Sequence, residues 1–322
     1  MSDQAATGGG MRHVAWLYAT AGEYLAGIWD FVQAGLSAAE PVLLAVPAGR
    51  LPLGWDLPGG TTAARSLDVT ELGRNPARLV PAVRAFADEH PRQHVRVVCE
   101  LAWAGRSAAE LGEVARYEAI VDRAFAASSV TMLCPYDSVG LPGAAISAAC
   151  ASHPWLRQDG RERGSSEYRH AADGQDRPEL PLSVPPGVSA LSYRGDLRPV
   201  RALVAAEADR AGLSGARRTD LVIAASEVAA NTLKHTGRAG LVRVWVTSDE
   251  ILCQFDDSGH IEDPLAGYGR NRADEPGGHG LWLVNQVCDL AEIRTTELGT
   301  TIRLHMFRVA PQPGPADRQR VG

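Results

Sequence analysis

Ser226-Glu-Val-Ala-Ala-Asn-Thr-Leu-Lys-His-Thr236 is the stretch from which this chain is best read. It closes a helical run that starts near Arg217, in which Leu221, Ala224, Ala225 and Val228 form one apolar stripe. Glu227 and Asn231 stand four residues apart, so their side chains share a helical face one turn from each other. A carboxylate at such a place can polarise a hydroxyl or a water, and an amide oxygen can ligate a hard cation such as Mg²⁺.

Downstream, Val242, Val244 and Val246 alternate with Arg243 and Trp245. A Ser248-Asp249-Glu250 turn intervenes, and Ile251, Cys253 and Phe255 alternate again. This is a hairpin pattern whose second strand delivers Asp257-Ser258-Gly259. Successive strand residues face opposite ways, so Asp256 and Asp257 are expected on different faces. By composition alone, Asp-Asp-Ser-Gly also suits a plain turn after a strand. Gly278-His279-Gly280 then precedes the apolar helix Leu281 to Cys288, where backbone amides can approach phosphate and the helix dipole favours an anion. The 18 residues between Gly259 and Gly278 are polar and include Arg270 and Arg272. They read as a lid in which either arginine steadies a phosphate or is a solvated loop charge. Gly299-Thr300-Thr301 opens a last strand. Upstream, Leu197 to Leu213 has helical periodicity.

Taken in this order, the elements resemble the ATP-binding domain shared by the gyrase, Hsp90, histidine-kinase and MutL families, over roughly Leu191 to Phe307. The resemblance implies a GHKL (Bergerat) α/β sandwich that binds ATP with Mg²⁺. It implies that Asp257 accepts a hydrogen bond from the adenine amino group, with Gly259 letting the backbone pass close to the base. It places Mg²⁺ on Asn231, phosphate contacts on Lys234, Arg270, Arg272, Gly278 and Gly280, and the rest of the pocket on Leu281 and Thr300. Glu227 becomes the general base. Within the superfamily, a two-component histidine kinase calls for a phosphoacceptor histidine on a helical hairpin upstream. His153 and His170 lie in poor helical context, and a Pro-rich stretch stands before Leu191. A gyrase-like transducer domain after Phe307 is not expected. The domain most resembles the anti-sigma-factor serine kinases of bacterial partner switching. That implies a sigma factor and an antagonist (anti-anti-sigma) protein as partners, the antagonist being phosphorylated on Ser or Thr, and it allows a homodimer. Two alternatives stay open: a catalytically inactive, ATP-dependent docking module, and an atypical sensor histidine kinase.

The N-terminal half alternates strand and helix signals: His13 to Tyr18, a helix from Glu23 to Leu36, the apolar run Pro41 to Val46, Val95 to Glu100, a helix from Ala108 to Ala126, and Val130 to Cys134. Such alternation argues for a doubly wound α/β sheet. The segments Glu40-Pro-Val-Leu-Leu-Ala-Val-Pro47, Trp103-Ala-Gly-Arg-Ser107, Arg116-Tyr-Glu118 and Leu133-Cys-Pro-Tyr-Asp137 resemble the MEDS sensory domain. That family is related in fold to the RecA/KaiC ATPases and implies a small organic ligand. No Gly-x-x-x-x-Gly-Lys-Ser/Thr sequence occurs, so this half is expected to sense or dock and not to hydrolyse ATP. Glu100, at a strand end, is either a relic of a metal-binding acid or a solvated or hydrogen-bonded carboxylate.

The domain boundaries expected are a disordered start over 1–11, the sensory domain over 12–156, a Pro-rich linker over 157–190, the ATPase domain over 191–309 and a disordered tail over 310–322. The net charge of -6 disfavours direct nucleic-acid or anionic-membrane binding. Five cysteines are scattered without metal-type spacing, which fits reduced thiols in a cytoplasmic protein, and Cys99 and Cys253 fall in core strand patterns. The N-terminus has no targeting pattern, and no apolar run reaches membrane-spanning length.

Overall fold

The computed structural model describes residues 10–51, 63–169, 182–269 and 279–308. The chain divides into two compact units, one running to Ala172 and the other starting at Asp173.

The N-terminal unit is built on strands β1 (Arg12–Tyr18), β2 (Val42–Val46), β3 (Ala64–Asp68), β4 (Val95–Cys99), β5 (Val130–Asp137), β6 (Trp155–Gln158) and β7 (Arg161–Gly164). They lie in the order β3-β2-β4-β5-β1-β6-β7, and every pairing is parallel except β6 with β7. Helices α1 (Ala21–Ser37), α2 (Val69–Leu72), α3 (Leu79–Asp88), α4 (Ala108–Ala124) and α5 (Gly143–Ser152) connect the strands. β2 is buried throughout because helices cover a parallel sheet on both sides. Val14, Trp16 and Tyr18 of β1 pack with Tyr24, Ile28, Phe31 and Val32 of α1. His13, Ala15 and Leu17 alternate to the other face. Thr20 caps α1 through the Glu23 amide, and Ser107 forms a capping box with Glu110 at the start of α4. The doubly wound sheet expected from sequence is present.

Two boundaries differ from expectation. Residues 157–164, expected as the start of a linker, belong to a hairpin over 155–164 that extends the sheet: β6 pairs with β1 and β7 with β6. Asp159 and Gly160 turn it, both at positive φ, which is the backbone a two-residue hairpin turn requires. The chain stays attached beyond β7. The Arg169 amide donates to the Ala151 carbonyl at 3.0 Å, and the Tyr168 hydroxyl donates to Asp122 at 3.1 Å. At the other end of the expected linker, Ser183 accepts a hydrogen bond from Arg303 at 2.7 Å and so belongs with the C-terminal unit.

The C-terminal unit is a two-layer sandwich. Strands β8 (Ser189–Tyr193), β9 (Gly240–Val246), β10 (Glu250–Asp257), β11 (Leu290–Thr296) and β12 (Gly299–Phe307) form an antiparallel sheet in the order β11-β12-β10-β9-β8. Helices α6 (Arg198–Arg210), α7 (Gly215–Thr236) and α8 (His279–Val287) supply the second layer. Val242, Val244, Cys253, Phe255, Ile302 and Leu304 meet Val204, Leu221, Ala225, Val228 and Val284 in one core. The opposite strand faces carry a polar ladder. Gln254 accepts from Arg303, and His305 is bracketed by Glu250 and Glu292, each 2.8 Å from one of its ring nitrogens. Burial pushes the His305 imidazole down, but these two carboxylates outweigh it and raise its pKa to about 9. Among the described residues, no helix is long and apolar enough to cross a membrane.

Candidate nucleotide site

Helix α7 positions the first half of the site. Leu221, Ala224, Ala225, Val228, Ala229 and Thr232 are buried on its core side, and Gly237, in the left-handed conformation, ends it. Phase then leaves Glu227 and Asn231 half-buried on an adjoining face. The first turn of α8 lies directly over them. A Cβ added to Gly280 would come within 3.0 Å of Glu227 Oε2 and 3.1 Å of Asn231 Nδ2. Only a glycine lets the α8 backbone come this close without displacing the pair, and this is the approach that an anion-binding helix start requires. Among the described residues, neither Glu227 nor Asn231 spends its side chain on a hydrogen bond or an ion pair.

The end of β10 supplies the second half. Asp257 Oδ2 accepts from the Thr232 hydroxyl at 2.7 Å, and its Oδ1 accepts from the Gly259 amide at 2.7 Å. Tyr193 in turn donates to Thr232 at 3.0 Å, and burial pushes the Tyr193 hydroxyl up to about 12, so it keeps its proton. A Cβ on Gly259 would meet Thr236 at 2.9 Å and Asp257 Oδ1 at 3.0 Å, so the backbone passes close to the carboxylate. Thr300, buried, fixes the turn from the neighbouring strand by donating to the Gly259 carbonyl at 2.8 Å. Asp256 points the other way: it is paired with Arg243 and accepts from Thr301 at 2.7 Å. The alternation read from sequence therefore separates the two acids.

The remaining expected residues divide into three groups. Lys234 is exposed in the last turn of α7, three residues beyond Asn231. Leu281 packs half-buried against the core beneath the start of α8. Arg270, Arg272 and Gly278 lie outside the described residues. The described part of the lid, up to residue 269, is tied down: Asn285 Nδ2 of α8 donates to the Gly267 carbonyl at 3.0 Å. Sequence reasoning missed Tyr193 and Thr232. A signal for Thr232 existed, because it is the polar member of the otherwise apolar stripe through Ala225, Val228 and Ala229.

In the N-terminal unit, Glu100 is fully buried and hydrogen-bonded, accepting from Tyr24 at 2.7 Å and from Arg50 at 2.7 Å. Of the two readings offered for it, the hydrogen-bonded carboxylate is the one the structure presents.

Comparison with known families agrees with this architecture. Residues 12–154 match the MEDS family, described as a methanogen/methylotroph, DcmR sensory domain. Residues 192–306 match the histidine kinase-like ATPase domain. The chain thus carries a MEDS sensory domain followed by a histidine kinase-like ATPase domain, and the second implies ATP binding. Comparison with curated proteins gave no match.

Proposed function

We propose that the C-terminal domain is an ATP-dependent protein kinase of the anti-sigma type. It phosphorylates an antagonist protein on serine or threonine and sequesters a sigma factor, while the MEDS domain, taking a small organic ligand, modulates both. The observation that supports this reading best is Glu227, a half-buried carboxylate with no competing partner among the described residues, lying under Gly280 at a helix start.

The roles follow from placement. Asp257, accepting on both oxygens from its own surroundings, offers its remaining lone pairs to the amino group of adenine. Asn231 offers an oxygen to Mg²⁺, and Gly280 brings the first amides of α8 against the phosphates. Lys234 adds positive charge at the rim. Mg-ATP, when bound, supplies the phosphoryl group and the cation that offsets its charge. Glu227 takes the proton of the incoming hydroxyl, and Asn231, one turn along the same helix, keeps the acceptor and the cation in register.

The test is incubation of the full chain with γ-labelled Mg-ATP and a candidate antagonist protein. Acid-stable label on a partner serine or threonine is the expected result. Acid-labile label on a histidine of the chain itself would replace this reading with a histidine kinase. A complex that depends on ATP but transfers no label would make the domain a docking module.

A further inference from the structure

His13 on β1, Glu118 on α4, Cys134 on β5 and His153 just after α5 converge inside the N-terminal unit, each 0–1% exposed. One ligand-type atom from each lies within 4.8 Å of the others. Around Glu118 Oε2, His13 Nε2 stands at 3.0 Å, His153 Nε2 at 3.6 Å and Cys134 Sγ at 3.7 Å, and the Cys134 to His13 separation is 3.5 Å. With metal bonds of about 2.0–2.3 Å to N, O and S, the edges of a tetrahedral site run to roughly 3.3–3.6 Å. The four atoms already stand close to that spacing.

The surroundings orient both imidazoles toward the centre. His153 Nδ1 faces the Ala149 carbonyl at 2.8 Å, which makes that nitrogen the donor and leaves Nε2 with a lone pair. That Nε2 is buried and makes no hydrogen bond. His13 Nδ1 lies 3.2 Å from Asp122 Oδ1, at ion-pair distance though off the hydrogen-bond axis. Tyr136 donates to the other Glu118 oxygen at 3.3 Å, and Tyr168 donates to Asp122 at 3.1 Å. Carboxylate or carbonyl behind each histidine, and a hydroxyl behind the acid, are the outer contacts that fix metal ligands.

We propose that this cluster is a closed four-ligand site for a divalent transition-metal cation of the zinc type, bound by His13, Glu118, Cys134 and His153. The mixture of two imidazoles, one thiolate and one carboxylate suits a borderline cation better than Mg²⁺ or Ca²⁺, which take oxygen ligands. On binding, Cys134 gives up its thiol proton, and both histidines coordinate through Nε2 as neutral rings. The site joins two neighbouring strands to the helices α4 and α5 that cover them, so the cation cross-links that face of the sheet.

The experiment is a Co²⁺ titration of the full chain, reduced and stripped by chelation, followed by competition with Zn²⁺. The expected result is one equivalent of Co²⁺ with tetrahedral d–d absorption and a thiolate-to-cobalt charge-transfer band, both displaced by Zn²⁺. Cys134→Ser should lose the charge-transfer band and His153→Ala should lose tight binding, whereas Cys150→Ser, at a buried cysteine outside the cluster, should retain both. Absence of the band in wild type, its survival in Cys134→Ser or its loss in Cys150→Ser would overturn the site. Should the ligand variants fail to fold by circular dichroism, Asp122→Asn decides, since it leaves all four ligands in place. A Kd raised by roughly 10–100-fold supports the site, and an unchanged Kd overturns it.

Discussion

Glu118 and Glu227 both stand in mid-helix, one on α4 and one on α7, and their surroundings treat them in opposite ways. Glu118 is 1% exposed, with His13 at 3.0 Å and the Tyr136 hydroxyl at 3.3 Å. Glu227 is half-buried and, among the described residues, has no such partner. A carboxylate withdrawn from water must be paired, and the pairing then occupies its lone pairs. One at the edge of a cleft keeps hydration and stays available to an incoming proton donor. The first environment suits a fixed ligand, the second a reagent.

The largest effect that can break this contrast is on catalysis. Glu227→Gln should lower phosphotransfer by roughly 10²–10⁴-fold while leaving ATP affinity and melting temperature close to wild type. Full transfer by that variant would show that Glu227 is no more a reagent than Glu118. The second comparison lies within the cleft. Asp257→Asn should weaken ATP binding by on the order of 1.5–3 kcal/mol, and Asp256→Asn, on the opposite face, by much less. Calorimetry returning equal losses would reject the assigned facing.

A third test uses the polar ladder of the C-terminal sheet. His305 titrates near 9 in the fold against an ordinary value of 6.5. Its contribution is therefore complete below the ordinary histidine range and disappears as pH rises through 9. Melting of the C-terminal unit should lose on the order of 2 kcal/mol over that rise, and His305→Gln should flatten the dependence. The smallest effect concerns Thr232. Thr232→Val removes one hydrogen bond to Asp257 and should cost about 1 kcal/mol of ATP affinity, read by calorimetry. A loss as large as that of Asp257→Asn would mean that Thr232 touches the nucleotide itself.

Local periodicity made most of the C-terminal site legible. Glu227 and Asn231 are one helical turn apart, and Asp256 and Asp257 part company because side chains alternate along a strand. Gly259 and Gly280, singled out by their spacing, both lie where a side chain would crowd the candidate site residues. The N-terminal cluster had no such signal. Its members lie far apart in the chain, with sequence separations of 105 from His13 to Glu118 and 16 from Glu118 to Cys134. β1 and β5 become neighbours only through the winding of a parallel sheet, which no short-range spacing records. The hairpin at 155–164 was legible but overlooked. Asp159-Gly160 is a turn dipeptide, and the charged residues around it suggested a tether instead.

The chain from Tyr193 to Thr232 to Asp257 has a direction, and under the proposed function that direction bears on the choice of base. Tyr193 keeps its proton and donates a hydrogen bond to Thr232, whose own hydroxyl lies closer to the carboxylate at 2.7 Å than to the Val228 carbonyl at 3.3 Å. Asp257 ends the relay as an acceptor on the oxygen that Thr232 engages. A purine that presents an exocyclic amine completes the pattern. One that presents a carbonyl at that position sets oxygen against oxygen. On the proposed reading of Asp257, discrimination between adenine and guanine rests on this acceptor-only carboxylate, which a tyrosine on β8 and a threonine on α7 hold in place.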